Sequence, residues 1–334
     1  MITETSTILQ HKPTNWQRKL RQAINNPVHL LELLELSDSS LAQTVITKPR
    51  FNLCVPKGYV ACMRRGDPYD PLLRQVLPLK EENKQLQGFS LEPVGDTIAK
   101  KVPGLLHKYQ KRVLLIATGA CAIHCRYCFR QHYDYAVSPS LPNKKILDTI
   151  RADTSISEVI LSGGDPLCLT DNRLTELAYS FAEISHVQRL RLHTRLPIVL
   201  PERVNEELLA WLTGTRLQPV IVVHANHPNE ISNPVNKALQ QLVEAGITVL
   251  NQSVLLRGIN DNSSVLVALS EVLFSNQVLP YYLHQLDRVR GATHFEVSDK
   301  TAIQLLTKMR EALPGYLVPK LVREIGGMPY KLPL

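Results

Sequence analysis

Three cysteines lie close together in the first half of the chain, directly after a short apolar run. Cys121, Cys125 and Cys128 follow residues 113–118 at C-x3-C-x2-C spacing, and the whole chain has six cysteines. Thiolates in one loop can bind a metal centre, but three of them cannot complete the tetrahedral site of a structural zinc ion. The spacing also differs from the four-cysteine run of bacterial ferredoxins. It favours a four-iron cluster in which one iron has no protein ligand and stays open to chemistry.

Two other interpretations of the cysteine loop remain open. His124 or His132 could supply a fourth ligand and complete a Cys3His zinc site, or the cysteines could bind no metal. Structural zinc usually takes its ligands from two separated pairs, so the spacing favours the open cluster. A disulfide is the least favoured alternative, because the chain starts without the pattern of a secretory leader.

From residue 113 onward, apolar runs alternate with amphipathic stretches in units of roughly 30–45 residues. This alternation predicts a parallel sheet with right-handed crossovers. Six such units suit a partial (β/α)6 barrel of the α/β class, and an open doubly wound sheet is the alternative. The predicted strands are 113–118, 158–162, 189–193, 219–224, 248–255 and 279–284, and the predicted helices are 143–152, 172–184, 203–213, 234–245, 263–275 and 299–312.

Polar motifs accompany all six predicted strands. They are the cysteine loop and residues 162–166, 193–195, 224–228, 251–252 and 284–287. Parallel barrels form their active sites at the carboxyl ends of the strands. The shared position therefore predicts that all six motifs converge on one mouth of the barrel.

The regions that flank this core have different patterns. Residues 1–100 are predicted to form a mainly helical extension, with two helices separated near Asn25-Asn26-Pro27 and a short helix after Asp70-Pro71. Within it, the polar residues 81–100 predict a connection over the surface. The predicted core covers 101–315. In the C-terminal segment, 316–334, two glycines and two prolines surround Lys331, which argues against a freely solvated tail.

Composition excludes few functions. The chain has 334 residues, 44% hydrophobic and 20% charged, which is typical of a globular protein. The net charge of +8 admits an acidic partner, but the lysines and arginines are spread out, so that we expect no nucleic acid. No apolar run is long enough to span a bilayer, so we expect no membrane association and a cytoplasmic location.

Residues 107–130 resemble a known family. The C-x3-C-x2-C spacing directly after a first strand resembles the signature of radical S-adenosylmethionine (SAM) enzymes. The longer run from His107-Lys-Tyr109 to Arg130 resembles the lysine 2,3-aminomutase family. Within that family, the stretches 72–76, 103–109, 125–130 and 320–327 resemble the bacterial branch that makes β-lysine for the modification of elongation factor P.

The resemblance implies three cofactors: a [4Fe–4S] cluster, SAM and pyridoxal 5′-phosphate (PLP). Asp165 is similar to the acidic residue that helps to hold the amino group of methionine, and Lys331 is similar to the lysine that binds PLP covalently. The contiguous glycines of the family are replaced before Lys331 by Gly-Gly-Met-Pro-Tyr. No zinc is expected, because the zinc-binding tail of the longer aminomutases has no counterpart here. The implied residues are Cys121, Cys125 and Cys128 for the cluster, Ser162, Gly163, Gly164, Asp165, His224 and Gln252 for SAM, and Lys331, Tyr109 and Arg112 for PLP.

The resemblance also implies the substrate. Arg130 is similar to the arginine that binds the substrate carboxylate, and Asp287 and Glu324 are similar to two carboxylates that hold the distant ammonium of lysine. Glu324 stands where the better-known aminomutases have an aspartate. The longer side chain is expected to change how far this carboxylate extends toward the distant ammonium. One cation and two anions complement the charges of lysine and do not complement those of glutamate.

The activity implied is an isomerisation of L-α-lysine to (R)-β-lysine, in which the amino group moves from C2 to C3. The implied partners are L-lysine, an external electron donor for the cluster and, functionally, the ligase that attaches β-lysine to elongation factor P. The oligomeric state stays open, and a homo-oligomer is one alternative. The alternative interpretation is a radical SAM enzyme of another class. It could be an aminomutase for another amino acid or an RNA-modifying enzyme, and the RNA-modifying enzyme would not need Lys331.

Overall fold

The computed structural model describes residues 14–135, 141 and 143–334. Its N-terminal extension consists of short helices, and the first 13 residues lie outside the described part. The break near Pro27 is present as predicted: the side chain of Asn26 accepts a hydrogen bond from the backbone N–H of Val28 at 2.9 Å and begins the second helix. The helices are α1 Asn15–Arg21, α2 Pro27–Leu33, α3 Lys57–Val60, α4 Pro71–Arg74 and α5 Asp96–Ala99.

In the part of the chain that the structure describes, the core is one sheet of ten strands. All six predicted strands are present, and each predicted end is within one residue of the observed end. The strands are β1 Lys100–Val102, β2 Leu105–Tyr109, β3 Arg112–Thr118, β4 Glu158–Gly163, β5 Arg189–Thr194, β6 Gln218–Val223, β7 Thr248–Val254, β8 Leu279–His284, β9 Lys320–Arg323 and β10 Leu332–Pro333.

The strand order follows the order of the chain from β1 to β10. Strands β3 to β9 pair in parallel, whereas β1, β2 and β10 pair antiparallel at the two edges. A doubly wound sheet would reverse its strand order at a switch point, and this sheet does not. The predicted α/β class with a partial (β/α)6 barrel is confirmed. The structure adds β9 and β10, through which the C-terminal segment joins the sheet.

Helices follow the parallel strands and cover one face of the sheet. Asn143, Asn205 and Asn262 precede three of them, and each side chain accepts a hydrogen bond from a backbone N–H of the first turn. Such a cap contributes about 1 kcal/mol to helix stability. The helices are α6 Lys144–Ala152, α7 Asp171–Ala182, α8 Leu196–Val199, α9 Glu206–Thr213, α10 Asn233–Glu244, α11 Ser263–Ser275 and α12 Asp299–Ala312. Among the described residues, no helix has both the length and the apolar character needed to cross a membrane.

The two faces of the sheet have different roles. In β5, Leu190 and Leu192 belong to the main hydrophobic core, whereas Arg191 and His193 line a cavity. Successive side chains of a strand point to opposite faces. One strand therefore supplies both packing residues and cavity residues.

One part of the extension differs from the prediction. Residues 81–100 were expected to run over the surface, but Val94 and Asp96 are each only 2% exposed, so this expectation is wrong for the last part of the segment. The cause is a close backbone contact in which a Cβ on Gly95 would lie 2.9 Å from the Cα of Gly326. The N-terminal extension thus packs directly against the C-terminal segment.

Candidate active site

A cavity of about 240 Å³ opens at the carboxyl ends of the parallel strands. Every residue for which the sequence predicted a site role lies in its wall. These residues are Tyr109, Arg112, Cys121, Cys125, Cys128, Arg130, Ser162, Gly163, Gly164, Asp165, His224, Gln252, Asp287, Glu324 and Lys331. Strand-end motifs, the cysteine loop and the C-terminal segment therefore meet in one place, as the barrel geometry predicts.

The cysteine loop follows β3 and is anchored to the N-terminal extension. The backbone N–H of His124 donates to the carbonyl of Cys54 at 3.0 Å, and that of Arg126 donates to the carbonyl of Gln75 at 2.9 Å. Burial, and after it the neighbouring Cys125, raises the pKa of the Cys128 thiol to about 11. All three cysteines line the cavity, and a metal centre bound there would hold them as thiolates.

Neither histidine that could complete a zinc site faces the cavity. The Nδ1 atom of His124 lies 2.7 Å from the carbonyl oxygen of Asn52, and its ring stacks on Phe51 at 4.7 Å between centroids. The Nε2 atom of His132 lies 3.0 Å from the carbonyl oxygen of Arg290. This arrangement argues against a Cys3His site and in favour of a centre bound by the cysteines alone.

The donor set fits a four-iron cluster. In such a cluster each cysteine binds a different iron, so the sulfurs surround a cube and need not converge on one point. The described residues contain no group of three or more His, Cys, Asp or Glu side chains arranged around a single metal ion. The cysteine loop has the ligands that a cluster with one open iron requires.

Gly163 and Gly164 pack against the start of the cysteine loop. A Cβ on Gly164 would lie 2.3 Å from the carbonyl oxygen of Ala120, and the backbone N–H of Gly164 donates to the carbonyl of Thr118 at 2.7 Å. Gly163 has φ +122°, a conformation that favours glycine. The glycines thus bring the end of β4 into contact with the loop that carries the cysteines.

Asp165 organises the neighbouring strand end. Its carboxylate accepts hydrogen bonds from the Thr194 hydroxyl at 2.7 Å and from the backbone N–H groups of Arg195 at 2.7 Å and Leu196 at 3.2 Å. Burial raises its pKa to about 6, although these hydrogen bonds oppose the rise. A side chain so engaged fixes the shape of the site, and the backbone around it is what remains available to a ligand.

His224 and Gln252 form a pair on adjacent strand ends. The Nε2 atoms of the two side chains lie 2.8 Å apart. Burial, and after it the charge of Arg195, lowers the pKa of His224 to about 3. The imidazole is therefore neutral at physiological pH and can donate or accept a hydrogen bond in the cavity.

A chain of alternating charges joins Arg130 to Lys331. The Nε of Arg130 donates to Oδ2 of Asp96 at 2.7 Å. The Nζ of Lys108 lies 2.7 Å from Oδ1 of Asp96 and 2.7 Å from Oε1 of Glu324. The other carboxylate oxygen of Glu324 accepts a hydrogen bond from Lys331. The arginine and the lysine predicted for substrate and PLP are thus held by one buried network.

The carboxylates of the cavity differ in their ionisation. Burial opposes the ionisation of Glu324, but Lys331 and Lys108 outweigh it and lower its pKa to about 2. Burial raises the pKa of Asp287 to about 7, and the charge of Glu324 adds to the rise while Lys331 opposes it. No cation forms an ion pair with Asp287 among the residues that the structure describes. Within the described ranges, the Asp287 carboxylate thus has no ion-pair partner, in contrast to Glu324.

The cavity wall also has groups that would fit PLP. The guanidinium of Arg112 lies over the ring of Tyr109, 4.9 Å from its centroid, and both side chains face the cavity. The Nε2 atoms of His193 and His284 are buried and have no hydrogen-bond partner in the described part of the chain. Buried polar atoms without partners are uncommon in folded proteins. A polar cofactor beside Lys331 would supply the missing partners.

Four charged residues at the site had no predicted role in the part of the chain that the structure describes. They are Asp96, Lys108, Arg191 and Arg195. Arg195 lies in the strand-end motif 193–195, and this position is the sequence signal that could have indicated a role for it. Asp96 and Lys108 precede the first parallel strand, and no local pattern distinguishes them from surface charges, since their partners are far away in the chain.

Known proteins are similar to this chain in sequence over most of its length. The sequence pattern of the radical SAM superfamily matches residues 115–266. A protein of Haemophilus influenzae named L-lysine 2,3-aminomutase is 46% identical over 321 residues, which cover 95% of this chain and 94% of that protein. A protein of the same name from Escherichia coli is 44% identical over 96% of this chain and 94% of its own length. One from Clostridium subterminale is 33% identical and is covered over 77% of its length.

A parallel sheet with a cysteine loop after its first parallel strand, matched by the superfamily pattern, defines a radical SAM enzyme. A [4Fe–4S] cluster and SAM are the cofactors of that class. The full-length similarity then places the chain within a narrower group: it belongs to the lysine 2,3-aminomutase family, whose members are isomerases. The predicted family and enzyme class are confirmed.

Proposed function

We propose that this protein converts L-lysine into (R)-β-lysine, using PLP in addition to the cluster and SAM. The observation that supports this proposal best is that one cavity wall contains the cysteine loop and Lys331 together with Arg130, Asp287 and Glu324. A radical SAM enzyme that modifies RNA would not require a buried lysine next to carboxylates that complement an ammonium.

The cofactor residues have defined tasks in this proposal. Cys121, Cys125 and Cys128 bind the cluster, and residues 162–165 with His224 and Gln252 hold SAM. Lys331 would bind PLP covalently, and Tyr109 and Arg112 would contact the cofactor, because a guanidinium suits a phosphate group. Cleavage of SAM supplies a carbon radical, and PLP supplies a π system that stabilises a radical while the nitrogen moves.

The charges of the cavity recognise the substrate. Arg130, oriented by Asp96, binds the carboxylate of lysine. Asp287 has no ion-pair partner among the described residues and receives the ε-ammonium. Glu324, which pairs with Lys331 in this structure, also faces that ammonium once Lys331 is engaged by PLP. A buried charge pair of this kind excludes substrates with an acidic or apolar end, because an unpaired buried charge is costly.

Wider biological roles follow from the sequence resemblance. The stretches similar to the elongation factor P branch support a role in the β-lysylation of that factor, in which a separate ligase uses the product. An external donor would deliver the electron that reduces the cluster. Such a reaction would take place in the cytoplasm, where the factor and the ligase act.

An anaerobic assay with L-lysine tests the proposed reaction. Purified, iron-reconstituted protein with SAM, PLP and a reductant should form β-lysine, and chiral chromatography should identify the R isomer. The visible spectrum should show separate iron–sulfur and pyridoxal absorption. Glutamate serves as the control substrate. Faster turnover of glutamate than of lysine, or no pyridoxal absorption, contradicts the proposal.

A second experiment tests the biological role. Deleting the gene should remove the mass of one β-lysyl group from elongation factor P, and supplying β-lysine to the cells should restore it. A factor that keeps its full modification in the deletion strain contradicts this role while leaving the aminomutase chemistry intact.

A further inference from the structure

A buried polar network lies directly behind the cysteine loop, with Arg195 at its centre. Arg195 is 6% exposed, and its Nη1 contacts Sγ of Cys125 at 2.6 Å and donates to the Tyr127 hydroxyl at 2.8 Å. Its Nη2 donates to Oε1 of Gln75 and to Oε2 of Glu230, each at 2.8 Å. One guanidinium therefore joins a predicted cluster ligand to a buried carboxylate.

The orientation of this guanidinium is fixed on several sides. It lies between two aromatic rings, 5.6 Å from the centroid of Tyr59 and 5.9 Å from that of Tyr127. The backbone N–H of Arg195 donates to Asp165 at 2.7 Å, which holds the end of β5. Arginine has a planar fork whose donors diverge in fixed directions. The side chain therefore has one geometry available to it.

Glu230 is the only carboxylate that forms an ion pair with Arg195 among the described residues. It is 1% exposed, and its second oxygen accepts hydrogen bonds from the backbone N–H groups of Asn226 at 2.9 Å and His227 at 3.1 Å. Cation and anion are therefore both buried, and Arg195 contacts the sulfur through Nη1 and the anion through Nη2. The pair presents its positive end to the cysteine loop.

We propose that Arg195 is a positioning residue for the cluster: it holds the Cys125 thiolate and, together with Glu230, sets the potential at which the cluster accepts an electron. This inference rests on the proposed binding of the cluster by Cys121, Cys125 and Cys128. Reduction adds one negative charge to the cluster. Charge and hydrogen bonds at the sulfurs are two of the means by which proteins adjust such potentials.

The two members of the ion pair have opposite effects on that added charge. The Arg195 cation stabilises the reduced cluster, and the Glu230 anion destabilises it, since both act at short range in a buried environment. Removing each charge in turn should therefore move the reduction potential in opposite directions. If the network only connected the N-terminal extension to the barrel, the two variants would not shift the reduction potential in opposite directions.

The test compares Arg195→Gln and Glu230→Gln with the wild type, each reconstituted anaerobically. Iron and sulfide content are measured first, and then the potential by a redox titration followed by electron paramagnetic resonance. Arg195→Gln should lower the potential by at least about 59 mV, a tenfold change in the one-electron equilibrium. Glu230→Gln should raise it. Tyr59→Phe, which removes one hydrogen bond to the guanidinium at 3.2 Å without a change of charge, is the matched control and should leave the potential close to that of the wild type.

Several outcomes separate this inference from the proposed function. If wild-type protein binds no four-iron cluster, the proposed function fails. If it binds the cluster but the two variants shift the potential in the same direction, or not at all, only the role of Arg195 is overturned. If Arg195→Gln does not retain iron, Arg195→Lys, which keeps the charge, must restore the cluster and a potential near that of the wild type. The direction in which Glu230→Gln shifts the reduction potential then decides whether the inference holds.

Discussion

Arg130 and Asp96 lie 34 residues apart in the chain, yet the Nε of Arg130 is 2.7 Å from Oδ2 of Asp96 inside the protein. A second nitrogen of Arg130 donates to the Ser162 hydroxyl at 3.3 Å, and the guanidinium lies 4.7 Å from the ring centroid of Phe129. The arginine proposed to bind the substrate carboxylate is thus oriented before any substrate enters, which reduces the cost of ordering it on binding.

Asp96→Asn should destabilise the protein and weaken lysine binding. The change leaves Arg130 and Lys108 without their shared anion, and removing one partner of a buried ion pair costs about 3–5 kcal/mol. Urea unfolding and the KM for lysine measure the two effects. Asp148→Asn, which removes an exposed carboxylate paired with Lys144, is the control and should change neither. Equal behaviour of the two variants would mean that Asp96 does not orient Arg130.

Replacing any one of Cys121, Cys125 and Cys128 with Ala should abolish the four-iron cluster. PLP should stay bound, because Lys331 is on a different segment of the chain. Iron and sulfide analysis with the visible spectrum measures both. Cys62→Ala is the matched control, since its sulfur is near the carbonyl of Gly58 and outside the cavity wall. A variant of the predicted cluster ligands that keeps full iron and SAM cleavage refutes the assignment.

Lys331→Ala should lose pyridoxal absorption and aminomutase activity but keep the reductive cleavage of SAM. The two cofactors are bound by separate parts of the cavity wall, so that loss of one should not remove the other. Lys320→Ala, an exposed lysine of β9, is the control for the loss of a nearby positive charge. Borohydride reduction followed by peptide mapping checks the attachment, and a pyridoxyl group on another lysine would disprove it.

The KM for lysine should fall as pH rises through about 7. Burial and the charge of Glu324 raise the pKa of Asp287 to about 7, so below that pH its carboxyl is largely neutral and cannot pair with an ammonium. For a single group whose ionised form alone binds the substrate, KM should be about tenfold higher one unit below its pKa than well above it. The same raised pKa means that stability of the ligand-free protein is lost as pH rises through this interval.

Asp287→Asn serves as the control for that pH profile. The variant should have a high KM that no longer changes between about pH 6 and 8, since the titrating group is absent. A pH dependence that survives in Asp287→Asn would show that another group causes it.

Gly326→Ala should loosen the segment that carries Lys331 and reduce PLP retention. A Cβ at this position would lie 3.1 Å from the Cα of Gly95, a backbone atom that cannot turn away as a side chain would. Gly315→Ala is the matched control, because its Cβ would meet no atom within 4 Å. The ratio of PLP to protein after gel filtration measures the effect, and equal ratios in the two variants would contradict the expected clash.

The prediction succeeded where neighbouring residues carry the signal. The six parallel strands alternate with amphipathic helices, and this pattern is set by residues two to four positions apart in the chain. The convergence of the strand-end motifs followed from the rule that parallel strands end on the same side of a barrel. The same reasoning failed for Asp96. A polar stretch without periodicity predicts an exposed segment, because its partners elsewhere in the chain are not visible in the local pattern.

What the sequence alone determined is the order of elements, the class of fold, the cysteine loop and the side of the barrel on which the polar motifs meet. These features depend on local periodicity and on spacing within a short segment. Only the tertiary structure decided which charges pair: Asp96 with Arg130, and Lys331 with Glu324. It also decided that Arg195 faces Cys125 across 70 positions of the chain. Such pairings depend on how separate segments pack, because a charge becomes strongly selective for its partner only after folding has removed water from around both.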